Sequence, residues 1–178
     1  MPTRTKSGEA TILVLTEEPQ IQRLLKSVLA VSGYESVFVT NTASALRAID
    51  EGDPQLVLLD LADARCHNLI VEIRQHTDVP LIVLSDQQRE SDLVAAFDLG
   101  AGDYVLKPFR PNDLMARTRS VLRRGMRARG EHAIYHRGGL AVDIISHSVT
   151  RAGKPIRLAP AEFGILSLLV RNCGRIVP

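Results

Sequence analysis

The sequence predicts an α/β fold with a doubly wound, five-stranded parallel sheet, followed by a smaller unit of short strands and one helix. Short apolar runs such as Leu56–Asp60 and Leu81–Ser85 end on polar residues, as buried strands of a parallel sheet do. Amphipathic segments of helix length separate these runs. After residues 125–130 the pattern changes to short strand-like pieces divided by turn signals.

Five strands and five helices are expected to alternate along the first 125 residues. The strands are predicted at 11–15, Glu35–Val39, Leu56–Asp60, Leu81–Ser85 and 104–106, and the helices at 19–32, 42–51, 69–75, 89–99 and 111–124. Pro19 opens the first helix and Gly33 stops it. Right-handed crossovers then give the flavodoxin-like strand order 2-1-3-4-5.

The chain is expected to divide into an N-terminal tail at 1–8, a first domain at 9–125, a linker at 126–133 and a second domain at 134–178. Small and basic residues after Gly125 predict the linker. Strands of the second domain are predicted at Leu140–Asp143, Ser148–Arg151 and 156–158. Pro160 precedes an amphipathic helix that ends near Asn172.

Composition fits a globular protein of the cytoplasm. The chain has 178 residues and 45% hydrophobic content, and its apolar runs fall short of the roughly 20 residues of a membrane span. The first residues lack the apolar block of a secretion signal. Cys66 and Cys173 make no disulfide framework, and the five histidines show no metal-ligand spacing on one helix face.

Charge differs between the two halves of the chain. Residues 1–125 carry 14 Lys and Arg against 17 Asp and Glu, a net −3, whereas residues 126–178 carry 8 against 3, a net +5. A basic second half fits a nucleic-acid partner through counterion release. A solvated basic face is the alternative that charge alone leaves open.

Three strand ends carry the candidate chemistry: Asp60, Ser85 and Lys107. In an open α/β sheet, ligands bind outside the carboxyl ends of the strands, so these side chains are expected to converge. An aspartate can accept a phosphoryl group covalently, a lysine neutralises the added charge, and a hydroxyl bonds a phosphoryl oxygen. The pattern therefore predicts a phosphoryl-accepting pocket.

These strand ends, with the stretch Asp-Tyr-Val-Leu-Lys-Pro-Phe at 103–109, resemble the receiver domain of bacterial two-component response regulators. The segment at 156–163 resembles the start of the winged-helix effector domain of the OmpR/PhoB subfamily, in particular its KdpE-like branch. The resemblance implies a transcription regulator that is phosphorylated on Asp60 by a sensor histidine kinase. Ser85 and Lys107 would contact the phosphoryl group, and Tyr104 would report the switch.

The resemblance also implies a Mg²⁺ ion held by Glu17, Asp60 and the carbonyl of Ala62. Thr16 stands where the family usually has an acid, and Asp86 follows Ser85 where a small residue is usual. Two interpretations stay open: weakened Mg²⁺ binding with phosphorylation retained, or a phosphate-independent dimerisation module. A phosphatase-like enzyme would need an aspartate at position 16, so no enzyme is expected.

Two interaction surfaces are implied. A symmetric homodimer would use the fourth helix, fifth strand and fifth helix through Arg89, Asp98, Asp103, Asp113, Arg117 and Arg119, although an intramolecular Asp113–Arg117 pair is an alternative. DNA phosphates would meet Arg151, Lys154, Arg157 and Arg175, without sequence preference. The base-reading helix of the subfamily would follow Pro178, so promoter binding is expected from a complete effector domain. No membrane partner is expected.

Overall fold

The computed structural model of the chain describes residues 10–60, 63–130 and 134–173. Its larger sheet is parallel and five-stranded, in the order β2-β1-β3-β4-β5, which confirms the predicted topology. The strands are β1 (Thr11–Thr16), β2 (Glu35–Val39), β3 (Leu56–Asp60), β4 (Leu81–Ser85) and β5 (Asp103–Leu106).

Five helices connect and follow these strands: α1 (Pro19–Val31), α2 (Thr42–Gly52), α3 (Asp63–His76), α4 (Glu90–Asp98) and α5 (Pro111–Ala128). Pro19 occupies the first turn of α1, where its missing N–H costs no hydrogen bond. Asn41 caps α2 because its side-chain oxygen accepts a hydrogen bond from the Ser44 amide at 2.8 Å.

Both faces of the parallel sheet are buried, because the sheet lies between two layers of helices. Because successive side chains of a strand point to opposite faces, Ile12 and Val14 pack on the side of α1 and α5. Leu13 and Leu15 pack on the other side against α3, where Ile70 is fully buried. This double burial holds the carboxyl ends of β1, β3, β4 and β5 in fixed register.

Two helix boundaries differ from expectation. Helix α3 begins at Asp63 rather than near residue 69, since no glycine or proline interrupts residues 63–76. Helix α5 continues to Ala128 rather than ending near 124. Gly125 is a packing residue, because a Cβ there would lie 2.5 Å from Cγ of Pro80, and the buried Met126 extends the apolar face. The start of the expected linker is therefore helical, while residues 131–133 lie outside the described residues.

The second unit contains an antiparallel sheet, β6 (Ile134–Arg137), β7 (Leu140–Asp143), β8 (Ser148–Arg151) and β9 (Lys154–Ile156), followed by α6 (Pro160–Arg171). This arrangement fits the predicted first part of a winged-helix domain. Strand β6 was not predicted, because it is a mostly exposed edge strand with little apolar alternation.

Two-residue turns set the register of this sheet. Gly138 and Gly139 have φ of 55° and 77°, and Ala152 and Gly153 have φ of 50° and 78°. Positive φ at both central residues is the geometry of hairpin turns that match strand twist. The second turn pairs Arg151 with Lys154, so β9 begins two residues earlier than the predicted strand.

The second unit packs on the first unit, which contains the parallel sheet. We call this the interdomain contact, and it is formed by Tyr34, Arg123, Asp143, Ile145 and His147. The Tyr34 hydroxyl donates a hydrogen bond to the Ile145 carbonyl at 2.6 Å. Arg123 and Asp143 form an ion pair at 3.0 Å. Burial raises the pKa of Tyr34 to about 12, so its hydroxyl remains a donor.

His147 lies at the centre of the interdomain contact. Its ring lies 5.2 Å from the ring of Tyr34 and 4.9 Å from the ring of Phe163, between centroids. Burial lowers the pKa of His147, and a hydrogen bond with the backbone of Ser32 offsets part of this effect. The neutral imidazole is therefore the form that the folded protein favours.

We expect acid to weaken the fold through His147. Above pH 6.5, its ordinary pKa, the ring is neutral in both the folded and the unfolded chain. Below it the unfolded chain binds a proton first, so stability should fall with decreasing pH by at most about 1.4 kcal/mol per pH unit. Urea denaturation from about pH 5 to 8 measures this slope.

The variant His147→Asn should reduce that slope, because asparagine tolerates the left-handed backbone at this position, where φ is 51°. The exposed His136 serves as a control, and His136→Asn should leave the slope unchanged. An identical slope in wild type and His147→Asn would show that another group carries the acid sensitivity.

Candidate functional site

Asp60 ends β3 at the carboxyl edge of the parallel sheet, with its side chain only 2% exposed. Thr16 ends β1 and is directly paired with Asp60 in the sheet register. The Thr16 hydroxyl donates a hydrogen bond of 2.6 Å to Oδ2 of Asp60, and it accepts one of 3.0 Å from the Glu18 amide. Strand pairing thus delivers a hydroxyl donor to one oxygen of a buried carboxylate.

Lys107 follows β5 and supplies the opposing charge. Its Nζ lies 2.8 Å from Oδ1 of Asp60, 2.7 Å from Oε1 of Glu18 and 3.0 Å from Oδ2 of Asp86. We call these four residues the Lys107 cluster. Burial alone would lower the pKa of Lys107, but hydrogen bonds to Asp60, Glu18 and Asp86 outweigh it and raise that pKa.

The structure brings Asp60 and Lys107 into direct contact, as their positions at strand ends predicted. Ser85 ends the intervening strand β4 and is buried, and its hydroxyl oxygen accepts a hydrogen bond from the Gln87 amide at 3.0 Å. Tyr104 is buried, and its hydroxyl donates to the Gln87 carbonyl at 3.3 Å. Gln87 therefore links the loop after β4 to the aromatic ring on β5.

Cys66 lies on the buried side of the site, and burial raises its pKa to about 12, with the charge of Asp60 adding to the effect. A thiol in this state is a poor nucleophile. Asp60, by contrast, accepts hydrogen bonds from the Lys107 ammonium and the Thr16 hydroxyl.

The oxygen donors near Asp60 suit a hard cation such as Mg²⁺, which uses one or two carboxylates and keeps several waters. Of the expected donors, Asp60 is buried at the end of β3 beside the Thr16 hydroxyl, and Glu17 is exposed directly after β1. The described residues contain no group of three His, Cys, Asp or Glu side chains placed to hold a metal. Ala62, the third expected donor, lies outside the described residues.

The charged residues expected at a dimer surface lie on α4, β5 and α5 or beside them. Arg117 forms intramolecular pairs with Asp103 at 3.1 Å and with Asp113 at 3.4 Å, so the i,i+4 alternative is present. These pairs raise the pKa of Arg117. The remaining members of the expected surface are Arg89 before α4, Asp98 at its end and Arg119 on α5.

Of the expected DNA-contacting residues, Arg151, Lys154 and Arg157 are exposed on the second unit. Arg175 lies outside the described residues. Sequence reasoning missed the roles of Glu18 and Asp86 as partners of Lys107. Their positions in the sequence could have indicated these roles. Asp86 directly follows the end of β4, and Glu18 lies two residues after the end of β1.

Residues 12–119 match the family model of the response regulator receiver domain. The chain belongs to the response regulator family. It is 38% identical to the transcriptional regulatory protein KdpE of Mycobacterium tuberculosis over 169 residues, covering 93% of this chain and 75% of that protein. It is 34% identical to the phosphate regulon transcriptional regulatory protein PhoB of Pseudomonas aeruginosa, with 93% and 74% covered.

Among solved structures, the response regulator DrrB of Thermotoga maritima, an OmpR/PhoB homologue, matches with a TM-score of 0.56 and 27% identity. The match covers 95% of this chain and 76% of DrrB, so it includes both units. These relatives confirm the KdpE-like, OmpR/PhoB resemblance of this response regulator. None of the helices in the described part of the chain has the length and apolarity required to cross a membrane.

We expect Lys107→Met to lower the free energy of unfolding by about 3 kcal/mol, because it leaves the buried Asp60 carboxylate without its cation. Urea denaturation near neutral pH measures the loss. The double variant Asp60→Asn/Lys107→Met removes both charges and should recover most of it. An equal loss in the single and double variants would instead assign the effect to packing of the lysine stem.

Proposed function

We propose that this response regulator accepts a phosphoryl group on Asp60 from a sensor histidine kinase in the cytoplasm and thereby controls transcription. The observation that carries the proposal is the buried Asp60 carboxylate, held between the Lys107 ammonium and the Thr16 hydroxyl. In the proposed step, an Asp60 oxygen forms a bond to phosphorus while the P–N bond of the kinase phosphohistidine breaks. The histidine leaves with the electron pair of that bond.

Lys107 and Ser85 would bind the transferred group. An ammonium beside the acceptor carboxylate compensates the charge that a phosphoryl group adds. Ser85, whose oxygen accepts a hydrogen bond from the Gln87 amide, would donate one to a phosphoryl oxygen. Since the Gln87 carbonyl accepts a hydrogen bond from the Tyr104 hydroxyl, a shift of Ser85 toward the phosphate would be transmitted to the β5 surface.

Receiver domains generally bind Mg²⁺ at the phosphorylation site. Here Glu17, Asp60 and the Ala62 carbonyl would hold the ion, which supplies positive charge to the transferring phosphoryl oxygens. Thr16 in place of an acid removes one negative charge from this set, so we propose weaker Mg²⁺ binding than a site with two acids after β1 would have.

Treatment with acetyl phosphate and Mg²⁺ should add one phosphoryl group to the wild-type chain in intact-mass measurement. Asp60→Asn should abolish the adduct, because an amide cannot serve as the acceptor. Asp78→Asn, at an exposed aspartate before the start of β4, should retain it. A folded wild-type protein without an adduct at saturating donor would favour the phosphate-independent dimerisation module instead.

We further propose that phosphorylation drives homodimer formation through the α4-β5-α5 face. This face carries both charge signs, including Asp103, Asp113 and Arg117, so opposite charges can meet across a self-complementary two-fold interface. The intramolecular pairs of Arg117 are partly exposed, so exchanging them for partner contacts costs little.

Arg117→Glu should weaken self-association of the phosphorylated protein several-fold, because it places like charges across the interface. Sedimentation velocity over a concentration series measures this change. Arg23→Glu, at an exposed arginine of α1, applies the same charge change away from the face and should leave self-association unchanged. Equal weakening by both substitutions would point to a general charge effect.

Promoter DNA is the proposed target of the full-length effector domain. The exposed Arg151, Lys154 and Arg157 fit contacts to phosphates, which position a protein on the duplex. Their contribution should fall steeply with salt and should not discriminate between sequences.

A further inference from the structure

We infer that Asp86 is a specificity-determining residue of the phosphorylation site, where its carboxylate competes for Lys107 and selects against highly charged phosphodonors. This inference rests on the proposed phosphorylation of Asp60. It concerns which chemical class of donor the site accepts, since near neutral pH a small acyl phosphate carries more negative charge than phosphoramidate, whose nitrogen is protonated.

Asp86 lies on the solvent-exposed side of Lys107, which we call the entrance to the site. Its side chain is 71% exposed, whereas those of Lys107 and Asp60 are 10% and 2% exposed. Lys107 therefore lies between the buried acceptor and the exposed carboxylate, within 3.0 Å of both. A donor that binds at Asp60 and uses the Lys107 ammonium therefore competes with Asp86 for that ammonium.

The charge balance of the Lys107 cluster makes this competition unfavourable for an anion. Three carboxylates surround one ammonium, which leaves the cluster with a net charge of −2. Phosphorylation adds further negative charge, and the oxygens of the phosphoryl group need the same Nζ that Asp86 contacts. Each additional charge on the donor therefore raises the repulsion from Asp86.

Asp86 can be separated from the other two carboxylates. Asp60 is the acceptor, and Glu18 lies on the β1 side of the site, next to the proposed Mg²⁺ ligand Glu17. Asp86 lies on the opposite side, in the loop that follows β4. Its substitution thus changes the charge at the entrance without removing a proposed metal donor.

The test compares two donors of different charge, acetyl phosphate and phosphoramidate, with Mg²⁺ present. With acetyl phosphate the O–P bond breaks, acetate leaves with the electron pair, and an Asp60 oxygen forms the new bond to phosphorus. With phosphoramidate, whose nitrogen is protonated near neutral pH, the P–N bond breaks and ammonia leaves with the electron pair of that bond. Phosphorylation rates are read from intact mass over time.

Asp86→Asn should raise the rate with acetyl phosphate by about threefold, the size expected when one exposed charge contact is removed. The rate with the less charged phosphoramidate should rise less, so the ratio of the two rates changes. Asp86→Glu, which keeps the charge, should retain the wild-type ratio. The change in ratio should also shrink as ionic strength increases.

Glu72→Gln is the matched control, because it removes an exposed carboxylate on α3 away from the site and should leave the ratio unchanged. If wild type accepts phosphate and Asp86→Asn leaves the ratio unchanged, the inference is wrong and the proposed function stands. If neither protein forms an adduct with either donor, both fail. If Asp86→Asn forms the adduct much faster than wild type does, the result supports both the inference and the proposed function.

Discussion

The contact between Lys107 and Asp60 is the interaction on which the site depends. It joins the ends of β5 and β3, which are not neighbours in the sheet, across the end of β4. Burying a carboxylate this deeply is costly unless a cation and hydrogen-bond donors lie beside it. The apolar residues that fill both faces of the sheet hold these strand ends together, so the core keeps Asp60 next to its partners.

Thr16 modifies this arrangement. A hydroxyl at the end of β1 donates a hydrogen bond to Asp60, where an acid would add a second negative charge to the buried site. The hydroxyl thus satisfies one oxygen of Asp60 without adding charge, and it stands where a carboxylate would be a potential ligand for a divalent cation. In the proposed phosphoryl transfer, the first effect concerns the acceptor and the second concerns the charge beside the transferring group.

Much of the fold and the centre of the site could be predicted from sequence, because both follow from periodicity. Apolar runs ending at Asp60 and Ser85 indicated buried parallel strands, and parallel strands bring their carboxyl ends together. The partners Glu18 and Asp86 were harder to assign, since side-chain direction in a loop has no periodic signal. The interdomain contact gave no signal, because Tyr34 and Ile145 are far apart in sequence and each is ordinary in its own element. Glycine is often found at helix ends, but Gly125 lies inside α5 and packs closely against Pro80.

The continuity of α5 has a mechanical consequence. With 18 residues it is about 27 Å long, and it leaves the sheet without a hinge at Gly125. Arg117 in its middle belongs to the proposed dimer face, and Arg123 near its end holds the second unit through Asp143. One continuous helix thus carries both the proposed dimer face and the contact with the second unit. Pairing two copies along α5 would place their second units at a defined separation. The geometry of receiver pairing would then set the distance between the two sites that a dimer contacts on a duplex.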